Sequence, residues 1–212
     1  MATTSNGGSR DVRPTVRVCA GVLTALGAAA AIGTGYWLTT AGKCHLDTGW
    51  GRRMRPLGPL HISIAAPART VFEVITGSYL GPAAVTHHTV RVLAGRGDTV
   101  VAEYRTPVHG GRRTALTLHA VTLEGPDRIR FQLLRGPVPH AVQQLSLAEY
   151  HGVTTVVYNA ELGTDFGALG SRWANLVATV WENTVRLGLA QIRADAEHLT
   201  TPPSEAADTP SG

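Results

Sequence analysis

The hydrophobic pattern changes period within LHISIAAPARTVFEVI (60–75). Leu60, Ile62 and Ile64 alternate with His61 and Ser63, whereas beyond Pro67 the apolar positions are Val71, Phe72, Val74 and Ile75. Period two giving way to period 3.6 predicts a strand running into a helix. Pro67 fits the first helical turn, where a missing N–H costs nothing. Ile62 and Ile64 are expected to enter a sheet, with Phe72 and Ile75 closing one end of it.

Residues 76–85 carry two glycines and Pro82 and admit at most a short second helix. Six strand-like runs follow: 88–94, 99–107, 114–124, 128–134, 141–150 and 153–162. In the cleanest, Ile129, Phe131 and Leu133 alternate with Arg128, Arg130 and Gln132. Short Gly- and Pro-containing turns join the runs, which predicts an antiparallel meander. After Gly163 the period returns to 3.6, with Thr164 or Asp165 as the expected helix cap. From Phe166 to His198, Leu169, Trp173, Leu176, Val177, Val180, Trp181, Val185, Leu187 and Ile192 occupy about half the helical circumference. Arg172, Asn175, Glu182, Arg186 and Arg193 occupy the rest. So wide an apolar face must lie along an extensive apolar surface, and the inner face of the sheet is the one available. The expected fold is α+β: a curved antiparallel sheet of six to seven strands around one long C-terminal helix. One helix cannot fill a large curved sheet, so an internal cavity is expected.

Composition and charge add a second part. Residues 18–42 form an uncharged run, VCAGVLTALGAAAAIGTGYWLTTAG, with Tyr36 and Trp37 near one end. Its length suits one transmembrane helix with an interfacial aromatic anchor. It exceeds the apolar core of a cleaved signal peptide, and the Ala-x-Ala pattern falls mid-run. The expected order is a basic segment at 1–17, a membrane helix at 18–42, a basic juxtamembrane linker at 43–56, a folded domain at 57–199 and a disordered tail at 200–212. This makes a single-pass protein of the cell membrane. Three basic residues before the span against four after it leave the side open. Small-residue spacing such as Gly21…Ala25 allows weak self-association through the span. The net charge of +4 divides into +5 over 1–56, +1 over 57–199 and −2 over 200–212. A nucleic-acid reader carries its charge on the folded module, so this class is set aside. Cys19 and Cys44 both lie outside the domain, which excludes a disulfide framework or cysteine-rich metal site within it.

The order of elements resembles the START-like (SRPBCC) helix-grip superfamily, which includes polyketide cyclases/dehydrases and lipid carriers. Three stretches carry the resemblance: I-x-I-A-A-P-A-x-x-V-F-E-V-I at the first strand and helix, LEGPDRIRF (123–131) and GVTTVVYNAEL (152–162). It spans about residues 57–199 and implies an internal site for an apolar small molecule. The superfamily has no universal catalytic signature, so the resemblance implies a shape more than a chemistry.

Candidate site residues are polar or aromatic side chains in phase with apolar faces. Tyr158 alternates with Val156 and Ala160, Gln143 with Leu145 and Leu147, and Tyr104 with Val100 and Ala102. Trp173, Val177, Val180 and Thr184 are their expected counterparts on the long helix. Thr184 has the local alternative of bonding back to a helical carbonyl. A buried Tyr needs a partner for its hydroxyl, in the core or on a ligand. Among the histidines, His109 and His140 fall in turns, and His119 is ambiguous because Leu116 and Leu118 compete with Val121 and Leu123 for the inner face. His87 and His88 are adjacent, no H-x-x-x-H occurs, and no metal or other cofactor is expected. The leading expectation is membrane-anchored binding or transport of a lipid, isoprenoid or polyketide-like molecule. The alternatives are a cyclase/dehydratase-type enzyme, with Tyr158, Tyr104 or a histidine as general acid/base, and an interaction module for a membrane partner.

Overall fold

The computed structural model describes residues 47–80, 90–108 and 111–201. All of them fall within one compact unit, Thr39–Gly212. The expected membrane helix at 18–42, the basic segment at 1–17 and nearly all of the tail at 200–212 lie outside the described residues. No helix among the described residues is long and apolar enough to cross a membrane.

Seven strands form one antiparallel sheet: β1 (Arg53–Ile64), β2 (Val90–Arg96), β3 (Thr99–Val108), β4 (Arg113–Glu124), β5 (Arg128–Arg135), β6 (His140–Tyr150) and β7 (Val153–Thr164). Helix α1 (Ala68–Leu80) follows β1, and α2 (Gly167–Thr200) closes the chain. The order across the sheet is β1-β7-β6-β5-β4-β3-β2. The meander therefore runs from β2 to β7, and β1 joins it at the far end against the last strand. Helix α2, about 51 Å long at 1.5 Å per residue, packs against β1, β7 and α1. This is the helix-grip arrangement.

Strand β1 begins at Arg53, inside the stretch expected to be linker. Gly58 and Pro59 look like a break, but they form a bulge where the pairing with β7 shifts between Leu57 and Leu60. Gly58 has φ +89°, and a Cβ there would stand 2.7 Å from the Tyr158 carbonyl oxygen. Only glycine fits so close an approach. Residues 47–52 are equally part of the fold. Asp165 is buried at 3% exposure. Its carboxylate accepts from the Thr48 N–H (2.8 Å), the Thr48 hydroxyl (2.9 Å), the Gly49 N–H (2.9 Å) and Arg52 Nε (2.8 Å). The Arg52 guanidinium and these donors hold the carboxyl well below the usual carboxylate range. Asp165 therefore does not cap α2, as the sequence suggests. The residue before the helix is Phe166, at φ 66°, with no side-chain cap.

Helix α1 passes through Gly77 to Leu80, so residues 76–80 continue the first helix instead of starting a second. Its N-terminus is satisfied by Glu149 of β6, which accepts from the Ala68 N–H at 2.7 Å. Val71, Ile75, Thr76 and Tyr79 form its buried face.

Helix α2 corrects the expected wide stripe. Gly170, Ala174, Ala178, Leu189 and Ala196 are buried, and Trp173, Val177, Trp181, Val185 and Ile192 pack beside them. Leu169, Leu176, Val180 and Leu187 are exposed. Small residues bring the helix backbone close to the sheet, which narrows the buried arc and leaves that second row outside. Gly170 sits tightly against the segment entering the helix, since a Cβ there would lie 1.8 Å from the Asp165 carbonyl oxygen and 3.2 Å from Thr164 Oγ1 at the end of β7.

Candidate functional site

The interior holds two apolar clusters. One gathers Ile64, Val71, Ile75, Val121, Ile129, Leu145, Val156 and Leu189. The other gathers Leu57, Leu133, Val138, Ala141, Leu162 and Ala178. Polar side chains meet where the clusters adjoin: Tyr79, Tyr104 and Tyr158 on the side of the first, Trp181 on the side of the second, and Gln143 and His119 in neither. Along β6 the order is Ala141, Gln143, Leu145, and along α2 it is Ala178, Trp181, Val185, so each element crosses from one cluster to the other at a hydrogen-bonding residue.

Gln143 is the hub. Its Oε1 accepts from the Tyr158 hydroxyl at 2.8 Å and from Trp181 Nε1–H at 3.1 Å. Its Nε2 lies 3.3 Å from His119 Nε2. Gln143 sits on β6 and His119 on β4, so the pair reaches across β5, a span of about 9.5 Å between strand axes. The His119 ring meets Tyr104 edge-on, with centroids 5.0 Å apart. Tyr104 and Tyr79 share a hydroxyl–hydroxyl hydrogen bond of 2.6 Å. The layer thus crosses the sheet from β7 and α2 at one side to β3 and α1 at the other.

The layer carries no charge at neutral pH. Burial pushes the His119 pKa down to about 4 and that of Tyr79 up to about 12. Burial likewise moves Tyr158 and Tyr104 above the usual phenol range, with Tyr79 adding to the effect on Tyr104. Three of the other polar residues buried among the described ones have partners within the fold. Thr76 bonds back to Phe72, Thr154 donates to the Ala66 carbonyl, and Asp165 holds Arg52. Two buried polar atoms have no partner among the described residues, His119 Nδ1 and Thr164 Oγ1. No group of three or more potential metal ligands occurs among the described residues.

The structure brings Tyr104, Gln143 and Tyr158 together and adds Tyr79, His119 and Trp181. Trp173 and Val177 lie beside the second cluster, with Trp173 Nε1–H donating to the Pro137 carbonyl oxygen at 2.6 Å. Val180 and Thr184 do not face the interior. Val180 is exposed, and the Thr184 hydroxyl donates back to the Val180 carbonyl at 2.9 Å. Both lie outside the narrowed arc of α2. His119 is inward because β4 turns its odd-numbered residues to the core, with Ala115, His119 and Val121 buried. Leu116 and Leu118, the competitors in the sequence, sit half-buried on the other face. Tyr79 escapes a reading that ends α1 near residue 76, although it continues the helical face of Val71 and Ile75.

A cleft of about 740 Å³ lies between α1, the turn at Gly125–Asp127 and β6, over Phe72, Thr76, Leu80 and Leu147. None of its lining residues belongs to the polar layer.

No protein-family model matches the chain, and no curated protein matches it in sequence. Solved structures do match in fold. The aromatase/cyclase Zhui from Streptomyces sp. R1128 is similar over 72% of this chain and 98% of its own, with 18% identity and a TM-score of 0.58. The di-domain ARO/CYC BexL from the BE-7585A biosynthetic pathway is similar over 72% of this chain, with 18% identity and a TM-score of 0.57. That match spans only 52% of the BexL chain. A START superfamily protein from Mycobacterium smegmatis is similar over 69% of this chain and 99% of its own, with 16% identity and a TM-score of 0.50. The chain has the helix-grip fold of these proteins.

Proposed function

We propose that the domain binds an uncharged apolar small molecule, of lipid, isoprenoid or polyketide-like character, within the helix-grip interior. One observation carries this reading: a hydrogen-bonded, charge-free layer around Gln143 lies where two apolar clusters adjoin. A core built for stability alone gains little from such a layer, because buried polar groups roughly break even when satisfied and cost when they are not. A site for an apolar ligand needs just this composition, oily walls with a few converging polar groups. The fold shared with aromatase/cyclases and with a START superfamily protein agrees with it. Residues 18–42 would act as a single-pass tether in the cell membrane, raising the local concentration of a ligand that partitions there.

The test is extraction. The full chain, purified and examined by native mass spectrometry, is expected to carry an apolar compound and to take up fatty or isoprenoid probes. Protein that stays empty throughout would sink the proposal.

A cyclase/dehydratase-type activity is the second reading. It is favoured by two proton-carrying hydroxyls, Tyr79 and Tyr104, 2.6 Å apart and next to a neutral imidazole. Un-ionised hydroxyls of this kind can donate to a carbonyl oxygen of a poly-carbonyl substrate and stabilise the charge that develops on it. Turnover of a polyketide mimic that falls at least a hundredfold in Tyr104→Phe would select it, and absence of turnover with binding intact would remove it.

A further inference from the structure

The hydrogen bonds around Gln143 determine where the proton of His119 sits. An indole N–H can only donate, so the Gln143 atom facing Trp181 Nε1 at 3.1 Å is the amide oxygen. The Tyr158 hydroxyl meets the same oxygen at 2.8 Å. The amide NH2 therefore points the other way, to His119 Nε2 at 3.3 Å. A ring nitrogen opposite a donor must present its lone pair. A doubly protonated ring would set N–H against N–H there, and burial disfavours its charge. The one ring proton is left on Nδ1. That N–H is enclosed, His119 being 5% exposed, and has no acceptor among the described residues. A buried donor without an acceptor is costly and calls for an explanation.

We propose, resting on the reading that the interior takes an apolar ligand, that His119 Nδ1–H donates to a carbonyl oxygen of that ligand. The preferred class is then the neutral carbonyl compounds (ketones, quinones, esters) over hydrocarbons of the same shape. Carboxylic acids and amines are disfavoured as well. The only buried charged side chain among the described residues is Asp165, and it is committed to Arg52.

Two measurements on the full chain test this. Long-range 1H–15N spectra of histidine-labelled protein, with the signal assigned by its loss in His119→Phe, are expected to show the Nδ1–H tautomer. Trp181→Phe keeps a ring but lets the amide turn over, and it is expected to give a mixture of tautomers. A proton on Nε2 in the parent protein overturns the proposal. In the second, 9-fluorenone and fluorene form a pair differing at one carbonyl. The ketone is expected to bind about tenfold tighter, the size of one buried hydrogen bond, and to lose that advantage in His119→Phe. Equal affinity of the pair for the parent protein overturns the carbonyl assignment and leaves apolar binding standing. Uptake of neither compound overturns the ligand reading and this assignment with it.

Discussion

At the scale of the residue, His119 ties stability to pH. Its pKa falls from 6.5 unfolded to about 4 in the fold, so below pH 6.5 the unfolded chain takes up a proton that the fold refuses. Stability is therefore lost as pH drops from 6.5 to 4 and no further below that. The full loss attributable to this residue is about 3 kcal/mol, at 1.36 kcal/mol per pKa unit. Urea titrations at pH 7 and pH 4.5 are expected to show the difference in the parent protein and a much smaller one in His119→Phe. Asp165 acts in the same direction over a more acid range. Its pKa is depressed, so its contribution is present above its unfolded value of 3.8 and is lost progressively as pH falls from there through the depressed folded value. Asp165→Asn removes the charge facing Arg52, and the Thr48 and Gly49 amides are expected to exchange with solvent faster. Unchanged exchange would remove Asp165 from this role. Gln143, Tyr104 and Tyr158 are legible in the sequence because strand alternation points them inward. His119 is ambiguous there, since both faces of β4 are partly apolar. The role of Asp165 has no local signal, because its partners lie more than a hundred residues earlier in the chain.

At the scale of the element, α2 has two apolar rows and uses one. Gly170→Ala would drive a Cβ into the Asp165 carbonyl and is expected to cost at least about 1–3 kcal/mol, read from thermal or urea unfolding. Leu176→Gln, on the exposed row, is expected to change stability by no more than about 0.5 kcal/mol. If Leu176→Gln proved the more damaging of the two, the orientation of α2 would be wrong. The helical period alone places both rows on one broad face, because hydrophobicity does not record how near the backbone comes to the sheet. The small residues Gly170, Ala174, Ala178 and Ala196 do record it. The start of β1 is hidden for a related reason: Arg53–Pro56 fall within the stretch expected to be linker, and the bulge between Leu57 and Leu60 breaks the alternation that would have extended the strand back to them.

At the scale of the whole molecule, the strand–helix–meander–helix order is readable from period changes alone. The pairing of β1 with β7 is not, since it joins the first and last strands of the sheet across about a hundred residues. The contacts of the interior depend on that closure. A ligand seated at the polar layer would touch both apolar clusters, and so would stabilise the unit as one piece. With ligand at a hundredfold above its Kd, unfolding is expected to cost about 2.7 kcal/mol more. Slowed amide exchange in β4, β6 and the middle of α2 together would mark that coupling.

The clasp between residues 47–52 and Asp165 has a mechanical meaning. Tension arriving from the chain before Asp47 does not reach the end of β1 first, where strands could be unzipped one bond at a time. It meets several hydrogen bonds on one carboxylate, loaded side by side, together with backbone bonds from Phe166 to Trp50 (2.8 Å) and from Gly167 to Gly51 (3.0 Å). Bonds sheared in parallel share a force that would part them singly. The N-terminal entry to the described residues is thus a reinforced corner, and a load applied there would pass directly into the first turn of the helix that grips the interior.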